Sequence, residues 1–230
     1  MNKNLFLWLM LAVFSFAGCS SDDDVENNDN GSPDNPPQGT LLVEGRHWCV
    51  GICELWPVLG EVSAYTDVWI EGSIEYNGKT YKRLKYRYGG DGFSEEETKV
   101  VRELKPMREE GGKVFVFDTS TGKETLDFDC NAKVGELDPQ GYAITEIANK
   151  VVGVDNASER KCFMMQLEDD LSGEPPYARE YIEGIGYVDG AFLHDPLTTG
   201  AFYKLLCCHE ADGKCIYGQA GHTCYLNSGK

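Results

Sequence analysis

Most patterned segments of the chain alternate apolar and polar positions with a period of two, the signature of half-buried strands rather than helices. Residues 68–76 (VWIEGSIEY) put Val68, Ile70 and Ile74 on one face. Residues 80–88 (TYKRLKYRY) do the same with Leu84, Tyr86 and Tyr88. Asn77-Gly78 between them is a strong hairpin signal. A two-residue loop would set Ile70 opposite Lys85 and Trp69 opposite Tyr86, mixing the faces. A loop of odd length sets Ile70 opposite Tyr86 and Val68 opposite Tyr88. Because a slip of one residue inverts every side chain, the pattern predicts an odd loop or a bulge.

Residues 114–117, 125–130, 142–154, 161–167, 181–187 and 201–208 predict further short strands. Turns separate them at Glu109-Glu110-Gly111-Gly112, at residues 119–123 and at Asp155-Asn156-Ala157-Ser158. Residues 94–107 allow a helix: Ser94 with Glu97 forms a capping box, Val100, Val101 and Leu104 share a face, and Pro106 stops it. Many short strands with regular turns predict one antiparallel β domain over residues 41–230, a sandwich or a partly closed barrel, with little helix. There is no internal repeat.

The N-terminal pattern is different. Lys3 precedes an apolar run over residues 5–16 (LFLWLMLAVFSF), too short to span a bilayer and the right length for a secretory leader. Phe16-Ala17-Gly18-Cys19 resembles the lipobox of bacterial lipoproteins, which implies cleavage after residue 18 and lipid on Cys19. Residues 22–40 (DDDVENNDNGSPDNPPQGT) hold almost nothing that can be buried and predict a disordered tether over residues 19–40. The formal net charge is −17, and −18 once Lys3 is removed with the leader. That sign excludes nucleic acid and an anionic headgroup surface as partners.

The acidic Ser20-Ser21-Asp22-Asp23-Asp24 run resembles the export signal of surface lipoproteins in the Bacteroidetes. Further segments resemble a group of uncharacterised lipoproteins from the same phylum: residues 76–84 (YNGKTYKRL), Arg108-Glu109-Glu110 with Lys113-Val114, Asp127-Phe128 with Val134-Gly135, and Ile182-Glu183-Gly184-Ile185-Gly186. Tyr181 and Glu136 depart from that group, where tryptophan and aspartate are expected. The resemblance implies an outer-membrane, surface-exposed location and a β-rich fold. It carries over no catalytic or binding residue.

Nine cysteines are present. With Cys19 assigned to lipid, Cys49, Cys53, Cys130, Cys162, Cys207, Cys208, Cys215 and Cys224 make an even set, which in an exported protein reads as a disulfide framework. The densest chemistry is Cys207-Cys208-His209 with Cys215, His222 and Cys224. Four of these six would close a tetrahedral zinc site, but the spacing is not that of a zinc ribbon. A disulfide between Cys207 or Cys208 and Cys215, across a hairpin turning at Asp212-Gly213, is favoured, with no metal. Cys207 and Cys208 are adjacent on a strand and so face opposite sides. Cys49 and Cys53 are expected to be bridged, against a thiol-protease reading of Cys49 with His47. His209-Glu210 begins a zincin motif that fails at Gly213.

Other constellations are weaker. Gly184-Ile185-Gly186 with Gly190 lacks the spacing of a nucleotide loop and reads as close backbone packing. Asp155-Asn156 with Ser158 and Glu159 reads as a turn rather than a calcium loop. Glu180, Glu183 and Asp189 are the candidate carboxylate pair for glycoside hydrolysis. Trp48, Trp56 and Trp69, with the tyrosines, are the candidate binding face. The sequence therefore favours a cell-surface lipoprotein acting as a non-enzymatic binding module, without cofactor, with an extracellular glycan or protein as partner. An inhibitor or accessory subunit of a surface enzyme, and a carboxylate hydrolase acting on glycans, are the alternatives.

Overall fold

The computed structural model describes residues 39–54, 62–155, 157–167, 178–193, 201–219 and 224–225. The leader, Cys19, the tether before residue 39, Trp56, Asn156 and His222 lie outside the described residues. In chain order the elements are β1 (His47–Glu54), β2 (Val62–Tyr76), β3 (Lys79–Gly90), α1 (Glu95–Lys99), β4 (Arg102–Glu103), β5 (Met107–Glu110), β6 (Lys113–Asp118), β7 (Lys123–Asp129), β8 (Tyr142–Val152), β9 (Ser158–Leu167), β10 (Ala178–Ile182), β11 (Gly186–Tyr187), β12 (Ala201–His209) and β13 (Cys215–Gly218).

The expected bulge is present, and it sits inside β2. Tyr76 pairs with Lys79, so the loop has two residues, Asn77 and Gly78, both with positive φ as a type I′ turn requires. The register then slips between Ile70 and Ser73, so that Ile70 faces Leu84 and Val68 faces Tyr86. One extra residue in β2 is enough to return Val68, Ile70 and Leu84 to a single face, where all three are buried. The helix is shorter than its apolar pattern suggests. The capping box from Ser94 to Glu97 forms, but Val100 is already extended. Val100 and Val101 are exposed, and β4 pairs with β3 instead. Edge pairing at Lys85–Glu103 and Tyr86–Arg102 competes successfully with a helix whose β-branched continuation is poor.

Two antiparallel sheets result. The larger has the order β13-β12-β1-β2-β3-β5-β6-β7, with β4 joined to β3, and the smaller has the order β11-β10-β9-β8. Neither path closes on itself, which decides for a layered β domain over a barrel. The sheets share one core: Trp48, Val50, Val68, Ile70, Leu84 and Leu205 from the larger meet Cys162, Ile182 and Ile185 from the smaller. A second cluster is aromatic. Phe128 of β7 stacks on Tyr181 at 3.7 Å and meets Phe163 and Tyr187 edge-on at 5.0 and 5.8 Å. The predicted strand over residues 181–187 is in fact two short ones. Between them Glu183-Gly184-Ile185 turns the chain, and a Cβ on Gly184 would lie 2.6 Å from Arg160 Nη1 and 3.0 Å from the Gly39 backbone. The glycine-rich motif is thus close packing.

Three charged side chains knit distant parts together. Arg46 is 3% exposed. Its Nη1 donates to the carbonyls of Thr40, Leu41 and Gly184, and its Nε and Nη2 hold both oxygens of Glu210. Glu109 takes the opposite groups of the same segment, accepting from the amides of Leu41 and Leu42 at 2.9 and 3.3 Å. At the other end of the sheet, Glu124 of β7 takes a two-pronged contact from Arg108 at 2.6 and 2.8 Å. It also accepts from Tyr81 and Lys79 of β3.

Replacing Arg46 by Ala removes the guanidinium from the Gly184 carbonyl and the Glu210 carboxylate. Urea unfolding should show a loss of about 3 kcal/mol. The Arg108 contact holds the Glu124 carboxyl down to about 2. A depressed carboxyl stabilises the fold above its ordinary value and ceases to do so as pH falls through the lowered one. Acid unfolding should therefore steepen between about pH 4.5 and pH 2, and Glu124→Gln should flatten that limb of the stability curve.

Candidate functional site

A cleft of about 280 Å³ opens where the large sheet runs past the edge of the shared core. It exists because the apolar face of β3 is longer than what covers it. Leu84 is buried, while Tyr86 and Tyr88, in the same phase, are only half-buried. Tyr203 enters from β12, two residues before the buried Leu205, and Phe192 and Leu193 enter from the turn after β11. Leu104, Lys105 and Glu103 supply the remaining rim.

The walls of this cleft are held from behind. The Leu205 amide donates to the Val188 carbonyl at 2.8 Å, and that of Leu193 to Gly190 at 2.9 Å, which fixes the turn against β12. Phe192 meets the buried Trp48 edge-on at 4.8 Å. Tyr86 and Tyr88 meet edge-on at 5.6 Å, Phe93 stacks on Tyr88 at 4.4 Å, and the Arg102 guanidinium lies 5.0 Å over the Tyr88 ring. The result is a row of oriented aromatic rings with Glu103, Lys105 and Arg102 beside it. Rings held this way lose little entropy when a ligand stacks on them.

Trp48 and Trp69 do not form the tryptophan face expected from the sequence, and Trp56 lies outside the described residues. Trp48 is fully buried and donates Nε1–H to the Ile185 carbonyl at 2.7 Å. Trp69 is half-buried on the opposite side of the sheet, stacked on His47 at 5.9 Å, with Arg87 over its ring. Tyr203 and Phe192 escaped sequence reasoning because they reach Tyr86 only through the tertiary fold. The legible signal was Tyr86 and Tyr88, two rings with hydroxyls in phase with a buried leucine.

The three candidate carboxylates do not converge. Glu180 is paired with Lys150 at 2.7 Å. Asp189 holds Arg179 at 2.7 Å. Arg179 and Glu180 are adjacent on β10, so their side chains leave on opposite faces. Glu183 packs beside Gly39 at the chain's entry to the core. Asp155 accepts from the Cys215 amide at 3.1 Å, a turn contact.

The cysteines divide between the two faces of the large sheet. A bulge in β12, where Cys207 faces Cys49 but Leu205 faces Val50, leaves Leu206 extra. Cys208 therefore points into the shared core, and Cys207 points away with Leu206, Cys49 and Cys215. Cys207 is bonded to Cys224. The expected partner Cys215 instead lies opposite His209, because the β12–β13 hairpin has its own register shift. The expected Cys49–Cys53 bridge is absent, since the two share β1 and lie about 13 Å apart along it. Cys49, Cys53, Cys130, Cys162, Cys208 and Cys215 are buried thiols. His209 places Nε2 3.1 Å from Cys224 Sγ and Nδ1 3.0 Å from the Gly213 carbonyl. His47 Nδ1 meets the buried Asp67 at 3.2 Å.

No family model matches the chain. No curated protein matches it either. A crystal structure from Parabacteroides distasonis ATCC 8503, named as a "putative lipoprotein", is similar to this chain with a TM-score of 0.33 and 10% identity, over 73% of this chain and 96% of that one.

Burial drives the Cys49 thiol up to about 12, with the Asp67 carboxylate adding to the effect and the Tyr225 amide opposing it. A catalytic thiolate is therefore not available at neutral pH. Alkylation of Cys49 in the folded protein at pH 8 should run on the order of a thousandfold slower than in the unfolded chain. Mass spectrometry of native and denatured samples measures this directly.

Proposed function

We propose that the protein is a lipid-anchored binding module of the bacterial cell surface, and that the tyrosine cleft holds its ligand. The carrying observation is the row formed by Tyr86, Tyr88 and Tyr203, half-buried in a cleft backed by Phe192. Concave sites with apolar walls and a few placed polar groups are where small ligands bind. A tyrosine ring offers an apolar face and a hydroxyl edge. An oligosaccharide offers the matching pair, apolar ring faces and a rim of hydroxyls. Glu103 is paired with Arg83 and Lys105 with Asp118, so the rim charges are already matched, which suits a neutral sugar better than an ionic ligand.

The anchoring half of the reading comes from the sequence. Cys19 in its lipobox-like context carries the lipid, residues 20–40 form the tether, and the acidic run after Cys19 directs the domain outward from the outer membrane. In that arrangement the domain acts by capture, without turnover, because Glu180 is paired with Lys150 and Asp189 with Arg179, on opposite faces of β10.

Glycan-array binding by the unlipidated chain from residue 20 onward tests the reading. Wild-type protein should retain a set of oligosaccharides, and Tyr88→Ala and Tyr203→Ala should each weaken retention at least tenfold, about 1.4 kcal/mol per site. Thermal melts of both variants establish that they fold. Binding that survives both substitutions, or no binding at all, would remove the cleft from consideration.

A further inference from the structure

Three groups that suit a soft divalent metal meet on the side of the sheet away from the tyrosine cleft, and Cys49 belongs to the same buried cluster. The ligand atoms of Cys207, His209 and Cys224 all lie within 4.8 Å of one another. Cys49 is the direct register partner of Cys207 on the neighbouring strand. The Tyr225 amide, one residue beyond Cys224, is directed at the Cys49 sulfur.

The histidine carries the argument. His209 is 4% exposed. Its Nδ1 faces the Gly213 carbonyl at 3.0 Å, a group that can only accept. Nδ1 must therefore hold the proton, and Nε2 is left with a bare lone pair. That lone pair points at Cys224 Sγ from 3.1 Å. A disulfide sulfur has no hydrogen to offer, so among the described residues the buried acceptor has nothing to accept while the Cys207–Cys224 bond is intact. The same arrangement, with Nδ1–H given to a backbone carbonyl and Nε2 aimed inward, is how proteins orient a histidine for metal ligation.

We propose that the chain, once its Cys207–Cys224 bond is reduced, binds one zinc-like divalent cation through Cys207, His209 Nε2 and Cys224, with the Cys49 thiolate in the fourth position. Reduction is a two-electron step: a dithiol reductant transfers two electrons and two protons to the disulfide and becomes a disulfide itself, leaving two thiols. Metal binding then releases three protons, one from each of Cys49, Cys207 and Cys224. A three-cysteine, one-histidine set closes a tetrahedral structural site. The metal takes over what the disulfide does, holding Tyr225 against Tyr65, where the rings now stack at 4.8 Å. Disulfide and metal are then two states of one clamp, one for oxidising and one for reducing surroundings.

The test uses the unlipidated chain from residue 20 onward, with Co²⁺ as a coloured probe and Zn²⁺ as its competitor. After reduction with a dithiol, and removal of the reductant under nitrogen, the protein should take up one Co²⁺ per chain with a sulfur-to-metal charge-transfer band, and Zn²⁺ should displace it. The unreduced protein should show no such band. His209→Ala and Cys224→Ser should each weaken uptake at least tenfold. Cys49→Ser should lower the charge-transfer intensity by roughly a third, one thiolate in three. Cys53→Ser, remote from the cluster, should change nothing. Zn²⁺ should also raise the melting temperature of reduced protein and leave that of unreduced protein unchanged. Absence of stoichiometric uptake after reduction, or uptake that survives His209→Ala and Cys224→Ser, overturns the proposal. So does a reduced chain that is unfolded and that Zn²⁺ fails to refold.

Discussion

The guanidinium of Arg46 joins three parts of the chain at one buried point. It holds the carbonyls of Thr40 and Leu41 just before β1, that of Gly184 in the small sheet, and the carboxylate of Glu210 at the end of β12. A buried charge is tolerated only when every donor is used. Here each partner comes from a different element, so satisfying the charge brings the entering chain, the small sheet and the last hairpin of the large sheet to one point. The apolar core above it depends on that meeting. Trp48 stands two residues along β1, and its Nε1–H finds the carbonyl of Ile185, one residue past Gly184.

Bulges decide what each face of the sheet carries. Without the extra residue in β2, Val68 and Ile70 would lie opposite arginine and lysine rather than Tyr86 and Leu84. Without the extra residue in β12, Cys207 would share a face with Leu205 instead of facing Cys49. The tyrosine cleft and the sulfur cluster thus lie on opposite faces of one sheet, and each depends on a local change of phase. This division also explains why the cysteines are so unevenly used. Cys208 and Cys162 are packing residues of the shared core, whereas the Cys207–Cys224 bond holds Tyr225 against Tyr65 on the other face.

The segments that resemble surface lipoproteins of the Bacteroidetes turn out to be framework. Arg108 holds Glu124, Glu109 holds the entering backbone, Phe128 stacks on Tyr181, and Gly184 makes room for Arg160 and Gly39. None lies in the tyrosine cleft.

Local patterning was enough to read most of the strands, the Asn77-Gly78 turn, the need for a bulge, the capping box at Ser94 and the opposed directions of Cys207 and Cys208. Each of these follows from backbone periodicity or from a turn's demand for positive φ, and both are written in neighbouring residues. β1 was not legible. Its run HWCVGICE is buried on both faces, so it shows no alternation to recognise. The extent of the helix was not legible either, because strand pairing with β3 outcompeted it after five residues. The pairing of β1 with β12, the bond from Cys207 to Cys224 rather than Cys215, and the meeting of Tyr86 with Tyr203 join residues up to about 160 positions apart. No local pattern encodes them. They were decided by tertiary structure, through the need to satisfy Arg46 and to cover both faces of the large sheet at once.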